Sequence, residues 1–352
     1  MVHILVFGAG PLGSLLTARL HQGGQDVTLL ARNQRFLDLQ KYGIVLKNWT
    51  SGNEETIRVN LIEKLLPNDC YDLVLVVMRK NSALKILPIL AKNCSKKILF
   101  LMNNAAGPSA LVDALGADRV LIGFPGAAGY KEGHKIVYIN AEEEQPAVIN
   151  IGLPAGGVND GLTQIAAELE RGIFLKTEIQ ENMDAWSKYH VGLLFPSLAP
   201  AAYLCDFDRV RMSNTRDAVV LAVRAMKEGF NVLQALGYPI TPGKFKNFLL
   251  IPEPILVSFV RRLIRKPAMD IAMMRHARAI RDEITQLNKE FMRLVEKSGL
   301  FTPNIRFLIS EFNSKASLLP EGSRSIRLNW NSIILTISAI IITGLLAGLL
   351  LK

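Results

Sequence analysis

Short, wholly apolar runs separated by helical stretches fill the first half of the chain. HILVF (3–7), DVTLLAR (26–32), DLVLVVM (72–78), KILFLM (97–102) and RVLIGF (119–124) each read as a strand, with helices from Pro11 to about Gln22 and near 81–93. A strand without polar alternation has no wet face, so the pattern predicts a parallel sheet covered by helices. HKIVYIN and AVINIG, farther along, read as a hairpin-like pair. From about residue 178 helical periodicity dominates, at 178–204, 215–236, roughly 254–265 and 268–298, and predicts a helical domain. NSKASLLPEGSRSIRLNWN (313–331) is rich in Ser and Pro and reads as a linker.

The chain then turns uniformly apolar. Ile333 to Leu351 is 19 residues without a charge, close to the ~20 a helix needs to cross a bilayer. Thr336, Ser338 and Thr343 can bond back to helix carbonyls, and Trp330 stands where a headgroup layer suits an amphipathic ring. The expected organisation is therefore an α/β Rossmann-like dinucleotide-binding domain (1–177), an all-α catalytic domain (178–315), a linker (316–332) and one transmembrane helix (333–351). The first apolar run is too short for a signal peptide. Arg324 and Arg327 before the span, against Lys352 alone after it, place the body in the cytoplasm.

Composition agrees with a tethered body. The 352 residues are 49% hydrophobic but only 7% aromatic, and mean hydropathy is +0.23. The net charge of +10 (41 Lys+Arg against 31 Asp+Glu) is spread along the chain without a nucleic-acid-recognition motif, so no nucleic-acid partner is expected. A basic surface suits an anionic leaflet. ILVSFVRRLIRK (255–266) either rests on such headgroups or forms a basic outer face of the helical domain. Cys70, Cys94 and Cys205 are scattered and odd in number, fit neither a disulfide framework nor a metal site, and are expected to be reduced thiols.

Between the first strand and the first helix lies Gly8-Ala9-Gly10-Pro11-Leu12-Gly13, a G-x-G-x-x-G run in the βαβ setting that a dinucleotide fingerprint requires. Gly8 permits the tight turn, Gly10 lets a pyrophosphate reach the backbone, Gly13 lets helix and strand pack, and Pro11 suits the first helical turn. The second strand ends in Arg32, with Arg35 close behind, where a carboxylate would select NAD. A guanidinium there pairs with a 2′-phosphate and points to NADP(H), unless Arg32 is only a solvated surface charge.

In the helical half, ENMDAWSKYHVGLLFPSLAPAA (181–202) is the most informative stretch. Lys188 there is either a proton donor to a substrate carbonyl or a snorkelling surface lysine. His190 reads as a packed histidine.

GAGPLG, Arg32, Asn104 in LMNNAAG, Lys188 in AWSKYH and RDEITQLNKE (281–290) occur in the order seen in ketopantoate reductases, and over roughly residues 1–315 the chain resembles that family. The resemblance implies that Lys188 bonds the keto oxygen and supplies its proton. It also implies that Asn104 lies near nicotinamide and substrate, that Glu283 contacts the cofactor and helps set the lysine, and that Arg79 stands at the family's cofactor-side lysine with Lys80 next. The chain departs from the family at Gly192, where an asparagine is usual, in the absence of serine between Phe259 and Lys297, and in the loop GFPGAAG (123–129), which replaces a threonine-containing one. The reading is an NADPH-dependent reductase of a 2-oxo acid or related carbonyl compound, with ketopantoate itself in question. The other readings are a non-catalytic NADP(H)-binding module at a membrane and an opine-type dehydrogenase. Whether the chain works alone or as a homodimer stays open.

Overall fold

The structure, a computed structural model, describes residues 2–314, 317–331, 333 and 334. The strands are β1 His3–Phe7, β2 Asp26–Leu30, β3 Ile44–Asn48, β4 Glu54–Ile57, β5 Asn60–Ile62, β6 Leu73–Val76, β7 Lys97–Leu101, β8 Val120–Gly126, β9 Ala128–Glu132, β10 Lys135–Ile139, β11 Ala147–Gly152 and β12 Leu175–Ile179. Eight of them form one sheet in the order β12-β11-β8-β7-β6-β1-β2-β5. Neighbours run parallel except β11 against β8. Ile4, Leu5, Val6, Val74, Leu75 and Val76 have no exposed surface, which is why these runs carry no polar alternation.

From β1 the chain moves outward to β2 and β5, then returns past β1 to β6, β7 and β8. The strand order therefore reverses beside β1, and a crevice opens at the carboxyl ends of the strands there. The helices of this half are α1 Pro11–Gln22, α2 Gln34–Tyr42, α3 Lys80–Ala83, α4 Leu87–Lys92, α5 Ser109–Leu115 and α6 Asp160–Glu170.

Three expectations for this half need correction. HKIVYIN and AVINIG do not pair. β10 turns back on β9 through Gly133, at φ 61°, and joins β3 and β4 in a second, four-stranded sheet. β11 instead runs antiparallel to β8 in the main sheet. The sheet also continues to Ile179, past the boundary expected at 177.

Cys70 and Cys94, expected to be reduced, form a disulfide with Cα atoms 5.2 Å apart, while Cys205 is free and buried. Register explains the pairing. Leu73 lies opposite Lys97 in the β6/β7 ladder, and three residues back along both strands Cys70 meets Cys94. Denatured full-length protein should titrate as one thiol before reduction and three after it. Reduction should also lower unfolding stability by ~3 kcal/mol, the loop-closure contribution of a ring this size. Three thiols without reductant, or an unchanged denaturation midpoint, would remove the bond.

The second half is helical: α7 Met183–Leu193, α8 Ala199–Tyr203, α9 Arg209–Asn214, α10 Arg216–Ala235, α11 Glu253–Arg265, α12 His276–Ala279, α13 Arg281–Ser298 and α14 Pro303–Ser314. α10 passes through the middle, with Ala218 to Val223 all buried. The helix expected over 178–204 widens into a π-turn at Leu194–Leu198, because Pro196 has no N–H for the Gly192 carbonyl. Ser197 Oγ donates to the carbonyls of Gly192 at 3.3 Å and Leu193 at 2.6 Å instead. The helix expected over 268–298 breaks at Ile280, where φ is −116° and ψ 32°.

The stretch read as a linker is a strap bound to this domain. Leu319, Ile326 and Leu328 pack on its core. Asp217 accepts from the Ser325 and Ile326 N–H groups at 2.8 and 3.0 Å, and Arg224 donates to the Arg327 carbonyl at 2.7 Å. Its Ser and Pro content marked irregular backbone, but α10 side chains satisfy that backbone. The segment expected to span a membrane lies outside the described residues except for Ile333 and Ile334. Among the described residues, no helix is long and apolar enough to cross a membrane.

Candidate active site

The glycine turn lies at the crevice beside β1. Gly8 sits at φ +125°, and a Cβ there would come within 2.4 Å of the Val77 carbonyl at the end of β6. At Gly13 a Cβ would overlap the Gly8 carbonyl at 1.8 Å, so α1 can lie this close to β1 only with glycine there. Gly10 has nothing within 4 Å of its Cβ position and faces open space. A pocket of about 240 Å³ opens here, lined by Gly8, Ala9 and Gly10, by Leu30, Ala31, Arg32 and Arg35, and by Phe7 and Met78. Pro11 starts α1, and the N–H groups of Leu12 and Gly13 have no partner within the helix, the Ser14 N–H being the first that does, at the Gly10 carbonyl.

The two arginines of this pocket differ. Arg32 is exposed at its mouth. Arg35 is half-buried and donates to the Ala9 carbonyl at 3.1 Å, the His134 carbonyl at 3.0 Å and Ser14 Oγ at 3.0 Å, so it pins the turn to the second sheet. A glycine turn with an open centre, a helix N-terminus behind it and a free guanidinium at its rim fits a dinucleotide phosphate. Among the described residues no group of three His, Cys, Asp or Glu side chains is placed to hold a metal ion.

At the seam between the two domains lies a buried polar cluster. Lys80 opens α3, is 4% exposed, and donates to Asn104 Oδ1 at 2.6 Å and Glu290 Oε2 at 2.7 Å. Asn104 is also held by Gly107, whose N–H it accepts at 3.1 Å and whose carbonyl it meets at 2.9 Å. Glu290, on α13, accepts the Ala106 N–H at 3.1 Å and the Gln286 amide at 3.1 Å. Burial lowers the Lys80 pKa, Glu290 works against that, and the nearby Lys188 charge adds to it.

Lys188, one of the largest fully buried side chains, lies beside this cluster. Asp184, one helical turn earlier on α7, accepts a hydrogen bond from its ammonium, and the Tyr238 ring lies 4.7 Å from Nζ. Gly107, at φ +87°, leaves room at Lys188 and Asp184, each 3.4 Å from the Cβ that residue lacks. Burial lowers the Lys188 pKa and Asp184 opposes the shift, which moves an amine toward the range of a proton donor at neutral pH.

The structure thus brings Lys188 and Asn104 together around Gly107, keeps the glycine turn in its own pocket beside β1, and distributes the other expected residues differently. Arg79 points across the seam, to Asp282 Oδ1 at 3.0 Å and the Ala279 carbonyl at 3.0 Å, while its neighbour Lys80 enters the cluster. Glu283 is buried against the Asn103 side chain and the Lys80 backbone, with its pKa raised by burial. The carboxylate that holds Lys188 is Asp184. His190 packs on Trp186 and Phe124, and burial pushes it down to about 4. At Gly192 a Cβ would come 3.1 Å from the Phe291 ring, so the space usual for an asparagine is used for packing. Sequence reasoning missed Asp184, Glu290 and Tyr238. Asp184 carried a signal, its i, i+4 spacing to Lys188.

Residues 4–153 match the family model described as "Ketopantoate reductase PanE/ApbA". The 2-dehydropantoate 2-reductase of Pyrococcus horikoshii is 23% identical over 234 residues, which cover 65% of this chain and 72% of that protein. Among solved structures, 2-dehydropantoate 2-reductase from Geobacter metallireducens has a TM-score of 0.69 at 19% identity, covering 90% of this chain and 100% of its own. D-mandelate dehydrogenase, in its ternary structure with NADH and anilino(oxo)acetate, has a TM-score of 0.73 at 16% identity, covering 89% of this chain and 97% of its own. The family match is confined to the N-terminal domain, and the solved structures share the fold of the described body.

Proposed function

We propose that this protein reduces a 2-oxo acid or related carbonyl compound to the hydroxy product with NADPH, from a body tethered to a membrane by residues 333–351. The observation that carries the reaction is Lys188, a buried ammonium held by Asp184 at the seam where the dinucleotide crevice meets the helical domain. The glycine turn and α1 would hold the pyrophosphate, Arg32 the 2′-phosphate, and Asn104 would border the nicotinamide. When bound, the cofactor supplies a hydride to the carbonyl carbon. Lys188 donates a hydrogen bond to the carbonyl oxygen and gives up its proton as negative charge grows there, leaving a neutral amine that solvent reprotonates. Asp184 keeps the ammonium aimed, and the Lys80–Glu290 pair fixes Asn104 beneath it.

Substrate recognition differs from the family pattern. Phe291, with no exposed surface, fills the space beside Gly192, and no serine occurs between Phe259 and Lys297. These two departures support an oxo acid other than ketopantoate. The reaction is tested by following NADPH oxidation by the full-length protein in detergent against a panel of 2-oxo acids. Stoichiometric NADPH binding without consumption on any of them would leave a cofactor-binding module in place of an enzyme.

Cofactor choice has its own test. A charge-assisted hydrogen bond to phosphate is worth about 1.5–3 kcal/mol, so Arg32→Ala should weaken NADPH binding by roughly tenfold to a hundredfold. NADH, which has no 2′-phosphate, should lose almost nothing. Titration of both dinucleotides by fluorescence decides it, and equal losses would sink the assignment.

A further inference from the structure

Along α11 the hydrophobic positions divide between two faces. Leu256, Val257, Val260 and Ile264 are buried against the helical core. Ile255, Phe259 and Leu263, at i, i+4 and i+8, form a second stripe that stays in the open at 54%, 60% and 37% exposure. Arg262 and Lys266 extend the stripe and are exposed as well. Exposed aromatic and aliphatic side chains in register with cations on one helix face are the composition of an interfacial membrane helix.

The position of this helix adds a second, independent observation. The strap that closes the body ends on the first turn of α11. Glu253 accepts the Asn329 N–H at 2.9 Å and is held by both nitrogens of an Arg224 fork at 2.9 Å. Trp330 follows at 50% exposure and Ile334 at 58%, and residue 333 begins the uncharged 19-residue run. The chain thus leaves the body at the N-terminal end of α11, the helix that carries the exposed stripe, and becomes uniformly apolar within a few residues.

From these two observations we infer that the outer face of α11 lies on an anionic lipid surface, with Ile255, Phe259 and Leu263 at the headgroup–acyl boundary and Arg262 and Lys266 among the phosphates. Charge complementarity selects this occupant over a neutral one, since each basic residue at an anionic surface adds roughly fivefold to partitioning. The inference rests on the proposed membrane tether and goes beyond it: a tether alone would leave the body free to tumble, whereas this contact fixes the face it turns to the bilayer.

The test uses the full-length protein carrying Phe259→Cys labelled with bimane, reconstituted in phosphatidylcholine vesicles with or without phosphatidylserine. Brominated lipids serve as quenchers, and Leu66→Cys, exposed on the other domain, serves as control. Quenching at 259 should exceed that at 66 severalfold in anionic vesicles. It should fall severalfold in neutral vesicles and with Arg262→Glu/Lys266→Glu, while the protein still co-sediments with the vesicles. Equal quenching at the two sites, or indifference to lipid charge, would overturn the inference and leave the tether standing. Failure to co-sediment would overturn the tether itself. Shielding of the 259 label in detergent alone would assign the stripe to the chain's own C-terminal segment. Label self-quenching that rises with protein-to-lipid ratio would assign it to a second copy. Either result overturns the lipid contact.

Discussion

Lys188→Ala is expected to lower turnover of the oxo acid at least ~10²-fold, the usual contribution of a positioned general acid, while NADPH binds as before. The glycine turn and Arg32 that would hold the dinucleotide belong to β1, α1 and the end of β2, whereas Lys188 belongs to α7 and faces Asp184 and Tyr238. Binding and chemistry should therefore separate, with kcat falling and the dinucleotide Kd unchanged. The pH profile gives a second readout. Lys188 must be protonated to donate, so the rate falls as pH rises through its pKa, which burial has lowered and Asp184 partly restores. Asp184→Asn removes the restoring charge, lowers that pKa further and should move the alkaline limb of kcat to lower pH. A fully active alanine variant would remove Lys188 from the reaction. An unmoved limb in Asp184→Asn would mean that Asp184 does not set the titration.

What the sequence made legible and what it hid have physical reasons. The strands of the main sheet were readable because burial on both faces erases polar alternation, and the glycine turn because Gly8 and Gly13 stand where no Cβ fits. The second sheet was not read because β4 and β9 are short and largely outside the core, which leaves the buried β3 without an apolar partner run beside it in sequence. The one strong signal in that region, Gly133 between β9 and β10, was passed over in favour of two apolar runs that belong to different sheets. The Cys70–Cys94 bond depends on the β6/β7 register, which no residue count reveals. Lys188 and Asn104 could be placed from the family resemblance, but Glu290 could not. A glutamate in the middle of a polar helix reads as a solvated face until the fold turns it onto Lys80 across 210 residues of chain.

Removing that glutamate should have the largest effect on stability. Glu290→Ala leaves the Lys80 ammonium buried at 4% exposure with only the Asn104 carbonyl oxygen as partner, and it strands the Ala106 N–H as well. Breaking a buried ion pair from one side costs about 3–5 kcal/mol. Replacing both partners, as Lys80→Met/Glu290→Leu, should recover most of that loss, because no charge is then left in the seam. The sign of the pH dependence follows from Lys80. Burial holds its folded pKa below the unfolded value of ~10.4, and without Glu290 it falls further. Between the two values the unfolded chain binds more protons than the folded one, so the stability of Glu290→Gln should rise with pH across that window, and the window should reach lower pH than in the parent protein. Guanidinium unfolding of the full-length variants across a pH series measures both effects. A loss within the ~0.5 kcal/mol typical of surface substitutions, with no added pH dependence, would show that the Lys80–Glu290 bond does not hold the two domains at the site.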